Sequence, residues 1–218
     1  MRKCWALTIV LCGGIFWLAG CQDPADKVNS SDPSQRIEAV RALSKRATDE
    51  DIDRVAKVAA TDDAVVADEA VRGLGSIRRP KSVEALRKVA ANDRRTEIRE
   101  EAILQLGRVK DAGGLEMLRQ TLRTDPDSRV RAAAATSLAR VRSLPDVALL
   151  MEVADADEDL MVQSRCVGAV EQMIGMKFGY ESHASPEERR KAMDRMRAVA
   201  MKAAANLIET DRFRNKQP

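Results

Sequence analysis

The chain has 218 residues, with 37 Lys and Arg against 34 Asp and Glu and a formal net charge of +3. So even a balance gives no strong field of either sign with which to gather a polyanion. Aromatic residues make up only 3% of the chain. The core must therefore be built from Ala, Val, Leu, Ile and Met, and base-stacking platforms for nucleic acid are excluded. A composition this rich in Ala, Arg, Glu and Leu favours helices.

In chain order, residues 1–20 read as an export signal. Arg2 and Lys3 precede an apolar run from Cys4 to Trp17, which is shorter than the roughly 20 residues of a spanning helix. Small Ala19 and Gly20 suit a protease pocket. The ending Leu18-Ala19-Gly20-Cys21 resembles the lipobox of bacterial lipoprotein signals. That resemblance implies cleavage before Cys21 and a covalent lipid on its sulfur, with no other cofactor. An uncleaved anchor and an ordinary cleaved signal with a free thiol are the alternatives. The resemblance also implies a lipid-anchored membrane protein of the bacterial cell envelope. Gln22, where the enteric sorting rule reads Asp as an inner-membrane signal, leans towards the outer membrane. Cys4 and Cys12 would leave with the leader and Cys21 would be acylated. Cys166 then stands alone, so no intramolecular disulfide forms, and with His183 it cannot make a zinc site. Loss of Arg2 and Lys3 lowers the formal charge from +3 to +1.

Residues 21–31 are the acylated cysteine and a polar stretch with Pro24, Asn29, Ser30 and Ser31, expected to be a flexible tether. From residue 32 to 175 the chain repeats itself. Leu43, Leu74, Leu106, Leu138 and Val170 recur at steps of 31, 32, 32 and 32, as do Ala39, Ala70, Ala102, Ala134 and Cys166. A second helix in each unit carries Ile52, Val83, Leu115 and Val147, then Val55, Leu86, Leu118 and Leu150. Asp62, Asp93, Asp125 and Asp157 each lie seven residues beyond the last set. The apolar positions fall at helical spacing and give each helix one stripe, which a lone hairpin cannot bury. Gly75 and Gly107 are expected as left-handed C-caps, the four aspartates as N-caps of the following helices, and Pro33 and Pro126 as first-turn prolines.

The period, with Asp125-Pro126-Asp127, Val130-Arg131, Ile98-Arg99 and Leu106-Gly107, resembles the short HEAT repeats of the phycobilisome-lyase type. The second unit departs from it, with Val66-Ala67 and a turn one residue shorter, and the fourth has Leu138-Ala139 in place of Leu-Gly. The resemblance implies an all-α, right-handed solenoid of about five helical hairpins. In the fifth unit the rhythm breaks near Gly175. Residues 176–210 read as a loop, wedged by Phe178 and Tyr180, and a longer capping helix. That helix starts at Ser185-Pro186-Glu187-Glu188, runs to about Glu209, and puts Met193, Met196, Ala200, Ala203 and Leu207 on one face. Residues 211–218 read as a disordered tail.

No nucleophile and base are paired, no phosphate loop follows a strand, and His183 reads as a solvated loop histidine, so an enzyme and a small-molecule substrate are not expected. Basic clusters at Arg78-Arg79-Pro80-Lys81, Arg94-Arg95 and Arg189-Arg190-Lys191 offer anionic headgroups a better partner than nucleic acid. Second helices usually line the concave face of such stacks. Their outward positions, Arg54, Lys57, Arg87, Lys88, Met117, Arg119, Leu149 and Met151, are the candidate protein-binding residues. They grade from basic to apolar along the stack and suit a protein or peptide segment lying across it. The alternative is a solvated face with extra packing between helices. These features favour a membrane-anchored, non-enzymatic interaction scaffold. An envelope spacer is the alternative, and a bilin-lyase-like accessory role is disfavoured by the lack of histidines and aromatics to grip a tetrapyrrole.

Overall fold

The computed structural model describes residues 23–214. Cys21 and the expected leader lie outside the described residues. A short helix, α1 (Pro24–Lys27), precedes four helical hairpins: α2 (Pro33–Arg46) with α3 (Asp49–Thr61), α4 (Ala64–Ile77) with α5 (Pro80–Asn92), α6 (Thr96–Arg108) with α7 (Leu115–Thr124), and α8 (Ser128–Val141) with α9 (Val147–Ala156). Then come α10 (Leu160–Ile174) and the long α11 (Pro186–Arg214). No strand occurs among the described residues, and the chain is an all-α solenoid.

The repeating apolar positions are its core. Leu43, Leu74, Leu106, Leu138 and Val170 are fully buried, as are Val55, Leu86, Leu118 and Leu150. Each stripe closes only against neighbouring units, with α2, α4, α6, α8 and α10 packed in sequence as one layer. Truncating one of these leucines to Ala would cost about 2–5 kcal/mol, the transfer loss plus the cavity left behind.

The expected glycine caps fall elsewhere. α4 and α6 run past Gly75 and Gly107, so both glycines sit inside helices. A Cβ on Gly75 would lie 2.3 Å from the Gln105 amide oxygen, and one on Gly107 would lie 2.7 Å from the Ser137 Cα. Their smallness lets successive first helices approach. The left-handed residues that turn the chain after each first helix are Ala47, Arg78, Lys110 and Arg142, with φ of 51°, 54°, 56° and 62°, followed by Gly175 at 73°. The first four recur at the repeat spacing of 31 or 32 residues, and Gly175 comes one residue later.

The aspartates also divide their labour differently from expectation. Asp62, Asp93, Asp125 and Asp157 are the C-caps of α3, α5, α7 and α9. The N-caps are Asp32, Asp63, Asp127 and Asp159, whose carboxylates accept from backbone N–H groups of the first turn. Pro33 is at the first helical position, while Pro126 lies in the turn before α8. At the start of the chain, residues 23–31 are docked and do not form a loose tether. Ala25 and Val28 pack on the core, Asp23 is 3.0 Å from Arg46, and Arg36 donates to the Ser30 carbonyl at 2.8 Å.

At the other end, α11 opens with Ser185 and Glu188 in a reciprocal capping box and runs on to Arg214. It buries Ala192, Met193, Met196, Ala200 and Ala204, while Ala203 and Leu207 are half-buried. In the preceding loop Phe178 is buried, and the Tyr180 hydroxyl donates to the Gln163 side-chain oxygen at 2.9 Å.

Candidate functional site

The second helices α3 and α5 form the walls of an open groove of about 960 Å³. Ala56 and Ala60 of α3 and Ala85 of α5 make its floor, over Ile52 and Val89. Corresponding positions further along the stack carry Arg87, Arg119, Arg123, Met117 and Met151, so the room here comes from small side chains. The walls are set at their N-terminal ends. The Asp51 N–H donates to the Thr48 hydroxyl at 3.2 Å, the Thr48 N–H donates to the Asp51 carboxylate at 3.0 Å, and Arg46 grips the same carboxylate at 2.6 Å. From the next unit Arg79 donates to the Ala47 carbonyl at 2.6 Å, and Lys81 pairs with Asp53 at 2.7 Å.

Every acid lining this groove is engaged. Asp53 has Lys81, Asp62 has Arg36 at 3.0 Å, Glu84 has Arg87 at 3.5 Å and Asp93 has Arg95 at 2.7 Å. Lys57, Lys88 and Arg94 are exposed and join no ion pair among the described residues. The lining is therefore locally cationic although the chain is nearly neutral.

The other candidate contact residues have different fates. Arg54 is exposed beside the groove, 4.0 Å from Glu50. Arg87 donates twice to Asp111, at 2.7 and 2.5 Å, and Arg119 reaches the buried Asp146 at 2.7 Å. These hydrogen bonds raise both guanidinium pKa values above their ordinary range. Both arginines are clips between one unit and the next, not free contacts. Met117 is half-buried against the core. Leu149 and Met151, expected as exposed contacts, are 6% and 7% accessible and belong to the core, and α11 packs beside α9 with Arg197 paired to Asp155. The apolar end of the face is thus part of the packed core and offers no free contact.

A second system runs along the turns. Arg99 binds the Asp125 carboxylate at 3.0 Å and the Asp93 carbonyl at 3.0 Å, and Arg131 binds Asp157 at 2.7 Å and the Asp125 carbonyl at 3.0 Å. Each arginine ties its own unit's aspartate to the preceding turn. The second unit has Ala67 at this position, and Arg95 does the work from the other side. It donates to the Asp62 carbonyl at 2.6 Å, the Ala59 carbonyl at 2.7 Å and the Asp93 carboxylate at 2.7 Å. Of the basic turn clusters, Arg79, Lys81 and Arg95 are spent in this way. The sequence signal for Arg95 was present, since the missing arginine and an extra turn arginine fall in adjacent units.

His183 is exposed, 3.2 Å from Glu181, and the Ser185 hydroxyl is committed to Glu188 at 2.7 Å. Cys166 is buried, and that burial pushes its thiol up to about 12, far from a reactive thiolate. Among the described residues no group of three His, Cys, Asp or Glu side chains could hold a metal ion, and no helix is long and apolar enough to cross a membrane.

The fold and groove define a helical-repeat solenoid with an open side. HEAT repeats match residues 25–103 and again 84–171, which together span well over half of the chain, and the chain belongs to the HEAT-repeat family. No curated protein matches it. Among solved structures it is similar to an engineered protein known from a crystal structure, at 20% identity and a TM-score of 0.48, covering 84% of this chain and 95% of that one.

Proposed function

We propose that this protein is a membrane-anchored, non-enzymatic scaffold that holds a partner protein in the groove between α3 and α5. The observation that carries this reading is the contrast between the two ends of one face. At the C-terminal end α11 packs beside α9 and Leu149 and Met151 are buried, while α3 and α5 bound an open groove floored with alanine and rimmed by cations that join no ion pair among the described residues. The anchor rests on the lipobox resemblance at Leu18–Cys21, with Cys21 carrying the lipid in a bacterial envelope. Because Asp23 is already tied to Arg46, such a lipid would be separated from the folded stack by a single residue, and the scaffold would stand at the membrane surface.

Two experiments test the parts separately. Cys21→Ser should release the protein from membranes or block its processing without changing its helical content. Unchanged membrane association and mature mass would overturn the anchor. Affinity purification from detergent-solubilised membranes should recover a stoichiometric partner with the native protein and lose it with Lys57→Glu/Lys88→Glu. Failure to recover one with either protein would overturn the scaffold and leave the envelope spacer.

A further inference from the structure

We infer that the occupant of the α3/α5 groove is an acidic amphipathic helix from a different protein. This deepens the scaffold reading and rests on it. Three observations define the ligand. The first is shape. At the far end of the same layer α11 lies beside α9, and the buried Leu149 and Met151 occupy the repeat positions that Arg54, Ala56 and Ala85 hold beside or within the groove. At the open end the alanine floor gives a ligand backbone closer approach than Met151 or Arg119 would permit. Both walls are 13-residue helices, about 20 Å long at 1.5 Å per residue, so a ligand of three to four turns spans them.

The second observation is charge. Lys57 and Lys88 stand at equivalent positions on the two walls, and Arg94 follows the C-terminus of α5. With every lining acid already paired, three cations face the ligand uncompensated. Carboxylates at one end of the ligand would meet them, while its apolar stripe lies on Ala56, Ala60 and Ala85. The third observation argues against α11 of a second copy. α11, the helix packed beside α9, has eight basic and five acidic residues between Pro186 and Arg214. Inserted into the groove of another molecule it would bring net positive charge to the cationic rim, which disfavours that occupant.

The test is a displayed library of 16-residue helical peptides with all outward positions randomised, selected against the full-length protein in detergent. Peptides rich in Asp and Glu beside an apolar stripe should be enriched. Their binding should weaken at least tenfold with Lys57→Glu/Lys88→Glu and fall steeply with added salt. Enrichment of neutral or basic peptides that are still sensitive to those two substitutions would overturn the charge assignment while leaving the groove as a docking site. Peptides indifferent to the substitutions, or no enrichment, would overturn the groove itself. As a further arm, the Cys21→Ser protein is mixed with phosphatidylglycerol vesicles. Binding that displaces the selected peptides would assign the cations to a lipid surface and overturn the proposal.

Discussion

Asp51 combines a cap, an ion pair and complete burial in one side chain. Its carboxylate has no exposure, while its partner Arg46 is 40% accessible, so the pair is worth less than a fully desolvated one. The Arg46 guanidinium, helped by Thr48, holds the Asp51 carboxyl well below the usual carboxylate range, and Arg131 lowers Asp157 in the same way. A depressed folded pKa contributes stability that is present above the unfolded value near 3.9 and is lost as pH falls through the folded value. Asp51→Asn should therefore cost about 2 kcal/mol at pH 7, and the gap to the native protein should narrow below pH 4 in urea titrations. A gap that stayed constant to pH 2 would contradict this account. Glycines give a second residue-scale test. Gly107→Ala drives a Cβ into the Ser137 backbone at 2.7 Å, whereas at Gly168 nothing lies within 4 Å. The first substitution should destabilise by about 1–3 kcal/mol and the second should stabilise by about 0.5–1 kcal/mol, read from the same denaturation curves. The sequence marks both residues as small. It does not show that α6 continues to Arg108, which turns Gly107 from a cap into a contact between helices.

At the scale of helices and turns, one rule organises the stack: an arginine joins each C-capping aspartate to the turn before it. The rule survives its own exception, since Arg95 supplies from the third turn what Ala67 lacks on α4. Arg95→Ala should cost about 2–3 kcal/mol, because it leaves the half-buried Asp62 and Ala59 carbonyls without their donor and Asp93 with only the backbone N–H of residue 95. Ala67→Arg should harm the native protein, where Arg95 fills that space, yet recover at least half of the loss in the Arg95→Ala background. A double-mutant cycle measures this coupling, and additive effects would refute it. Most of this layer was legible from spacing alone, because position sets with one period report helices and core directly. The groove was only partly legible. Lys57 and Lys88 stand out in sequence, but Arg87 and Arg119 look equally free until Asp111 and Asp146 are seen against them. Leu149 and Met151 were misplaced for a related reason: α11 starts out of register with the other second helices, so no periodicity foretells the packing at that end of the stack.

For the whole molecule, stability is a sum over units and their interfaces, closed by α1 at one end and α11 at the other. The left-handed residues Lys110 and Arg142 stand 32 positions apart at equivalent points of consecutive units. Excising residues 111–142 would therefore join like to like. Arg87 would face Asp146 in place of Arg119, Arg99 would face Asp157 in place of Arg131, and Gly107 would meet Ala169 where Ser137 had been. Such a chain should fold cooperatively as a monomer of unchanged helix fraction, tested by circular dichroism and size exclusion, and should keep its α3/α5 groove. An aggregated or molten product would show that the interfaces are less interchangeable than their geometry indicates. Because the same left-handed bend recurs in every unit, the distance between the groove and the closed end is a quantity that can be changed in whole steps, leaving the chemistry at either end untouched.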